Sequence, residues 1–310
     1  MKRSSFFCLT FALLLLFNTP TARLVGAAAQ PPEDYAKVEE IGPPFTAETR
    51  AVYDSIASLA QQGNWHELPF AELMTRVALE MLDSPYEAGT IEDPVYENCK
   101  IHFTGFDCVT FYETVLCIAR TIKYEEYSIY KLIEEIEYTR YRGGNRDGYA
   151  SRLHYTSEWI LNNEQKGVVK DITAELGANK HVGEVFFMSK NPDKYAALEM
   201  HPDLVPEIEA AEKFINANKR LYLPKEKIAS VYDELRDCDI VCFATSIAGL
   251  DYAHTGFVHF DEDGNCHLMH ASTKHGVIID TDLAEYAQGI KHFIGISVVR
   301  PIDPITHSTE

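Results

Sequence analysis

Cys108 opens a stretch whose spacing suits a nucleophile. From Asp107 to Ile122 the apolar residues fall at 109, 112, 115, 116, 118, 119 and 122. That is the period of a helix buried on one face, with the Asp107 side chain placed to cap its N-terminus. Cys108 is then the first helical residue. A thiol there faces unpaired backbone N–H groups and the positive end of the helix dipole, which favour the thiolate. The same N–H groups suit the oxyanion of a tetrahedral intermediate. A cysteine nucleophile also needs a base, and His254, followed by Thr255-Gly256-Phe257-Val258 at a strand start, stands where one is expected.

A third partner follows from strand parity. His270 lies 16 residues beyond His254, and Asp261-Glu262-Asp263-Gly264-Asn265 between them reads as a hairpin loop. With an odd number of loop residues, positions of equal parity share one face of the strand pair, so His270 can orient the ring of His254. An even loop, such as a two-residue Asp263-Gly264 turn, puts the rings on opposite faces. The role is to fix the tautomer of the base and hold its ring. The cluster His254, His259, His267, His270 and His275 also raises zinc, which wants three or four ligands converging on one point. On strands, His254 and His259 point to opposite faces, as do His267 and His270. The pattern therefore favours a site without metal, and no organic cofactor is required.

These residues need a scaffold. Helical patterns run from about Ala47 to Gln62, Phe70 to Leu82, Tyr127 to Arg140 and Val205 to Asn218, besides the one that Cys108 opens. From about Asp239 onward the pattern changes to short β-rich runs: Asp239 to Ala244, His254 to Phe260, Cys266 to Ala271, Val277 to Asp280 and Phe293 to Val299. Helices first and an antiparallel sheet after them make an α+β arrangement.

Lys2 and Arg3 precede an apolar run from Phe6 to Phe17, and small residues follow up to Ala29. This reads as a secretory signal peptide over 1–29; the run is shorter than the roughly 20 residues that a membrane-spanning helix needs. Residues 30–310 are expected to form a single catalytic domain with an N-terminal helical elaboration, exported to the periplasm or beyond and not stably inserted in a membrane. The chain has 28 Lys plus Arg against 47 Asp plus Glu, a formal net charge of -19, and losing Lys2, Arg3 and Arg23 makes it more acidic still. Nucleic acid and anionic membranes demand a basic footprint, so the charge argues against both as partners. Of the seven cysteines, Cys8 leaves with the signal. Cys238 and Cys242 sit in a strand-like run and Cys117 on an apolar helix face, so buried free thiols are expected over a disulfide framework.

Four segments together resemble a known family. Ser84-Pro85-Tyr86-Glu87-Ala88-Gly89, Gly105-Phe106-Asp107-Cys108, His254-Thr255-Gly256-Phe257-Val258 and Leu268-Met269-His270-Ala271 are similar, in order, to motifs of the N-acetylmuramoyl-L-alanine amidase-like family within the NlpC-type papain-like cysteine hydrolases. The signature of papain itself, Cys-Gly-Ser-Cys-Trp, is absent. The resemblance implies a papain-like fold in which N-terminal helices, the nucleophile at one helix start, pack on an antiparallel sheet or half-barrel. It also implies a Cys108, His254, His270 triad, with Tyr86 lining the site and its hydroxyl helping to bind the oxyanion.

Departures from the wider pattern narrow the substrate. Endopeptidases of that superfamily follow the nucleophile with Ser-Gly and grip the free amine of a stem peptide; here Val109-Thr110 stands instead, which leaves Asp107 as a cap and a candidate substrate contact. Tyr141-Arg142-Gly143-Gly144 and Ser151-Arg152-Leu153-His154-Tyr155 resemble the amidase-like branch, which cuts between N-acetylmuramic acid and L-alanine in peptidoglycan fragments. Arg152, His154 and Tyr155 are candidate substrate-binding residues; Arg152 either pairs with a stem-peptide carboxylate or, with His154, ties its loop to the core. A γ-D-glutamyl-diamino-acid endopeptidase and a non-catalytic muropeptide-binding module stand as alternatives. Cys238 occupies a position where the superfamily usually has glycine.

Overall fold

The computed structural model describes residues 43–305; the expected signal peptide lies outside them. Helix α1 (Ala47–Gln62) is capped by Thr46, whose hydroxyl accepts from the Thr49 N–H. After α2 (Phe70–Leu79) comes a long connection to α3 (Cys108–Lys123), which is apolar enough to be buried over nearly its whole length. Helix α4 (Ile129–Arg140) packs against α3 and α5 (Thr156–Gln165) follows. Two helix ends differ from the sequence reading. The second helix stops at Leu79, before Asp83 takes a left-handed φ of 65°, and the fourth starts at Ile129 because the Ser128 side chain caps it.

The sheet is antiparallel in every pairing. Strands β1 (Val169–Asp171), β2 (Lys180–His181) and β3 (Leu221–Pro224) are short, whereas β4 (Ile240–Thr245), β5 (Tyr252–Phe260), β6 (Cys266–Ser272), β7 (Gly276–Asp282) and β8 (Phe293–Pro301) carry the sheet's bulk. Their order is β2-β3-β8-β4-β5-β6-β7, and β1 also pairs with β8. Between β2 and β3 run the short helices α6 (Phe187–Lys190) and α7 (Ala196–Met200) and the longer α8 (Val205–Ala217); α9 (Leu283–Gly289) joins β7 to β8. The fold is α+β, although β1 to β3 interrupt the helical half and so break the simple order of helices first and strands after.

The two sheet faces bury different partners. On one, Cys242, Tyr252, Phe257, Met269 and Val277 join the core around α1 to α4. On the other, Val241, Phe243, Val258, Leu268 and Ile296 pack with α9 and the 3-10 segment Lys225–Glu234. A third cluster gathers Tyr149, Tyr155 and Tyr195 with residues of α6 to α8. Among the described residues no helix is long and apolar enough to cross a membrane.

Candidate active site

Asp107 fixes the start of α3. Its Oδ1 accepts from the Val109 N–H at 3.0 Å and the Thr110 N–H at 2.8 Å, while the Asp107 N–H donates to Thr110 Oγ1 at 2.9 Å. This reciprocal capping box satisfies N–H groups that a helix start leaves unpaired. Burial raises the Asp107 carboxyl above its ordinary pKa despite these hydrogen bonds, which pull the other way. Cys108 follows, fully buried.

Two segments flank that start. The Phe106 N–H donates to the Pro85 carbonyl and the Glu87 N–H to the Phe106 carbonyl, both at 3.0 Å, so half-buried Tyr86 lies alongside the residues leading into Cys108. The same loop is held from behind by β7, where Val277 exchanges main-chain bonds with Asp83 and Ser84. Gly276, with φ at 72°, is needed there because any Cβ runs into the Ser84 carbonyl. On the other side, Thr255 Oγ1 donates to the Cys108 carbonyl at 2.9 Å, and Phe111 meets Phe257 edge-on. The Thr255 side chain therefore abuts the Cys108 main chain, and His254 is the residue before it on β5.

The two histidine rings meet. Phe260 pairs with Cys266, leaving a five-residue loop, and Phe257 pairs with Met269. His270 thus lies across from Gly256 on the sheet face that carries His254. A Cβ on Gly256 would come 2.9 Å from that of His270, so the missing side chain makes room for the ring pair. His254 Nε2 and His270 Nδ1 are 2.6 Å apart, with the rings nearly perpendicular at 85°. Phe243 stacks on His254, and Tyr286 of α9 packs on both rings. Burial, and then the neighbouring His270, push the His254 pKa well below 6.5, so its resting ring is neutral.

A further residue, unnoticed in the sequence, completes the row. Asp280 Oδ2 lies 3.2 Å from His270 Nε2, and that hydrogen bond is the main reason the Asp280 pKa is lowered. The signal was present: residues 273–275 are a three-residue turn between Ser272 and Gly276, so parity puts Asp280 on the same face as His270. The remaining histidines do not join. His267 bonds the Asp280 carbonyl and the Asp261 carboxylate, and among the described residues no three His, Cys, Asp or Glu side chains converge as metal ligands.

A solvent-open cavity borders the helix start, lined by Asp107, Val109 and Thr110 together with Glu92, Arg152 and His154. Cys108, His254 and His270 are not in its wall; all three side chains are buried.

A family model, N-acetylmuramoyl-L-alanine amidase-like, matches residues 76–296. The chain belongs to that family. It is similar to a crystal structure named as an N-acetylmuramoyl-L-alanine amidase from Bacteroides uniformis, at 30% identity and a TM-score of 0.71, over 75% of this chain and 99% of that one. A Bacteroides fragilis protein described provisionally as a xylanase shares 34% identity and a TM-score of 0.67, over 73% of this chain and 99% of that one. A Legionella pneumophila protein at 20% identity and a TM-score of 0.62, over 82% and 95%, shares the fold. No curated protein matches the chain.

In this amidase-like protein the motif Ser151 to Tyr155 is largely engaged by the protein's own side chains. The Arg152 guanidinium contacts both oxygens of Glu92 at 2.8 and 2.9 Å, approaches Glu97 at 3.4 Å and lies over the Tyr149 ring. Its two carboxylate partners are already present, which favours the loop-tying role. His154 donates from Nε2 to the Tyr149 carbonyl at 2.8 Å, and burial, then Arg152, pull its pKa down to about 3. Tyr155 does not line the cavity, and its hydroxyl donates to Glu212 of α8 and accepts from the Met188 N–H, both at 2.8 Å. The six cysteines among the described residues are buried, and no disulfide joins any two of them. Cys238, in place of the usual glycine, adopts φ 58°, a left-handed conformation that explains why glycine suits the position.

Proposed function

We propose that the chain is a cell-wall amidase that hydrolyses the bond between N-acetylmuramic acid and L-alanine through a Cys108 acyl-enzyme. The observation that carries this reading is the buried His254–His270 pair, 2.6 Å apart, on a strand whose Thr255 bonds the Cys108 carbonyl. In this reading the Cys108 thiolate attacks the lactyl carbonyl after passing its proton to His254. His254 then protonates the departing alanine amine and later activates the water that frees the enzyme. His270 orients the base. Asp107 already takes the Val109 and Thr110 N–H groups, so the oxyanion donors are the Cys108 N–H and the Tyr86 hydroxyl. Asp107 and His154 contribute to the substrate-facing wall, no cofactor is used, and residues 30–310 act as one catalytic domain of the NlpC-type papain-like kind. Export behind a signal peptide over 1–29 brings the enzyme to periplasmic muropeptides.

Two other activities share parts of this site. A γ-D-glutamyl-diamino-acid endopeptidase keeps the triad and changes the bond. A glycosidase, the activity suggested by the Bacteroides fragilis name, needs two carboxyl groups free to flank a glycosidic bond; at the cavity Glu92 is held by Arg152 and Glu113 by Arg140. The deciding experiment digests a panel of defined muramyl peptides, with xylan as control, using the native protein and its Cys108→Ser form. Release of stem peptides beginning with L-alanine by the native protein alone is expected. Cleavage inside the stem, or undiminished activity of the Cys108→Ser form, overturns the assignment.

A further inference from the structure

We propose that Asp280 is a positioning residue that sets the direction of the hydrogen bond between the two histidines, and through it the nitrogen that His254 offers to Cys108. The inference rests on the proposed role of His254 as base, and it adds a residue outside the Cys108, His254, His270 set.

The geometry is a row: Asp280 Oδ2 to His270 Nε2 at 3.2 Å, then His270 Nδ1 to His254 Nε2 at 2.6 Å. A neutral imidazole carries one proton, so one of its nitrogens donates and the other accepts. Taken alone, the histidine pair has two ways to make its bond. Either His254 donates from Nε2 to His270 Nδ1, or His270 donates from Nδ1 to His254 Nε2. Only the first leaves His254 Nδ1 without a proton and able to accept one from a thiol. The second puts the proton on Nδ1 and removes the base.

Asp280 breaks the tie. An ionised carboxylate accepts hydrogen bonds and donates none, so His270 Nε2 must carry the proton that faces it. In its uncharged form the His270 ring then presents a lone pair at Nδ1, His254 Nε2 must donate, and His254 Nδ1 is the basic atom. The two ends of the row suit this: the His270 bond holds Asp280 below its ordinary pKa, and burial keeps His254 neutral. The Asp280 carboxylate is further fixed by its Oδ1, which accepts from the Thr281 N–H at 2.7 Å. Groups facing the row from other elements are the Tyr286 ring of α9, packed on both imidazoles, and His275 in the β6–β7 turn, which acts electrostatically on Asp280. Neither supplies a second carboxylate to His270.

The test reads the tautomers directly. In the full-length protein labelled with nitrogen-15 histidine, long-range proton–nitrogen correlation spectra at neutral pH should show both His254 and His270 protonated at Nε2. Asp280→Ala and Asp280→Leu, the second refilling the space without an acceptor, should each give a mixture with Nδ1-protonated His270. Thermal unfolding should show that at least one of them keeps the native fold. Muramyl-peptide cleavage should fall by about 10- to 100-fold, the range for losing a group that orients a functional histidine, with kcat affected more than KM. Unchanged tautomers in a folded variant overturn the role of Asp280, whatever happens to activity. Shifted tautomers in a protein that cleaves no muramyl peptide uphold it and instead sink the substrate assignment.

Discussion

His254 is buried completely, and in the row its Nε2 meets another imidazole, that of His270. Both facts disfavour the charged ring, and the pKa falls as a result. The sign matters for activity, because the proposed first step needs His254 neutral so that it can take the thiol proton. A base with a depressed pKa stays neutral as pH drops, so the acid limb of kcat/KM should lie below the ordinary histidine value of 6.5. A pH–rate profile on a soluble muramyl peptide checks this, and an acid limb at or above 6.5 is incompatible with His254 as the base in this environment. The partner histidine was readable from sequence because parity needs only a count of loop residues. Asp280 was equally accessible by the same count, yet an aspartate near a strand end reads as solvent-facing, and that default hid it. Tyr155 shows the opposite failure. Its position beside Arg152 and His154 in the chain suggested a site, but its hydroxyl is claimed by Glu212, 57 residues away, and no local pattern reports so distant a contact.

At the scale of elements, the long and strongly patterned ones were legible. Helix α3 follows its apolar spacing and its cap, and β4 to β8 begin and end within a residue or two of the β-rich runs. Strands β1 to β3 have two to four residues each, and α6 and α7 have four and five. Such segments are shorter than the windows over which either periodicity can be recognised; β1 and β3 form by pairing with β8, β2 by pairing with β3, and α6 packs on α8. The cap of α3 also carries a prediction. Asp107 Oδ1 holds two N–H groups, so Asp107→Ala should cost about 1 kcal/mol of stability, within the usual range for losing a helix cap. Asp107→Asn keeps an acceptor oxygen and should cost less than half as much. Denaturant unfolding of the two variants checks the difference; equal losses would show that the side chain stabilises the protein by some other means than capping α3.

For the molecule as a whole, charge is the property that acts at a distance. The chain carries a formal net charge of -19, and peptidoglycan stem peptides bear carboxylates of their own. Enzyme and substrate in the proposed reaction therefore repel on approach, opposite to the steering that speeds association of unlike charges. Salt weakens that repulsion: the screening length falls from about 30 Å at 0.01 M to about 8 Å at 0.15 M ionic strength. The value of kcat/KM for a soluble anionic fragment should accordingly rise severalfold over this range, with most of the change in KM and little in kcat, because the buried histidine row is not screened by bulk ions. Uncharged muramyl-peptide analogues, amidated at their carboxylates, should show almost no salt dependence. If the charged fragment is instead bound more weakly as salt increases, attraction dominates at the site. A local cationic contact, with Arg152 released from Glu92 as the first candidate, would then have to outweigh the acidic surface.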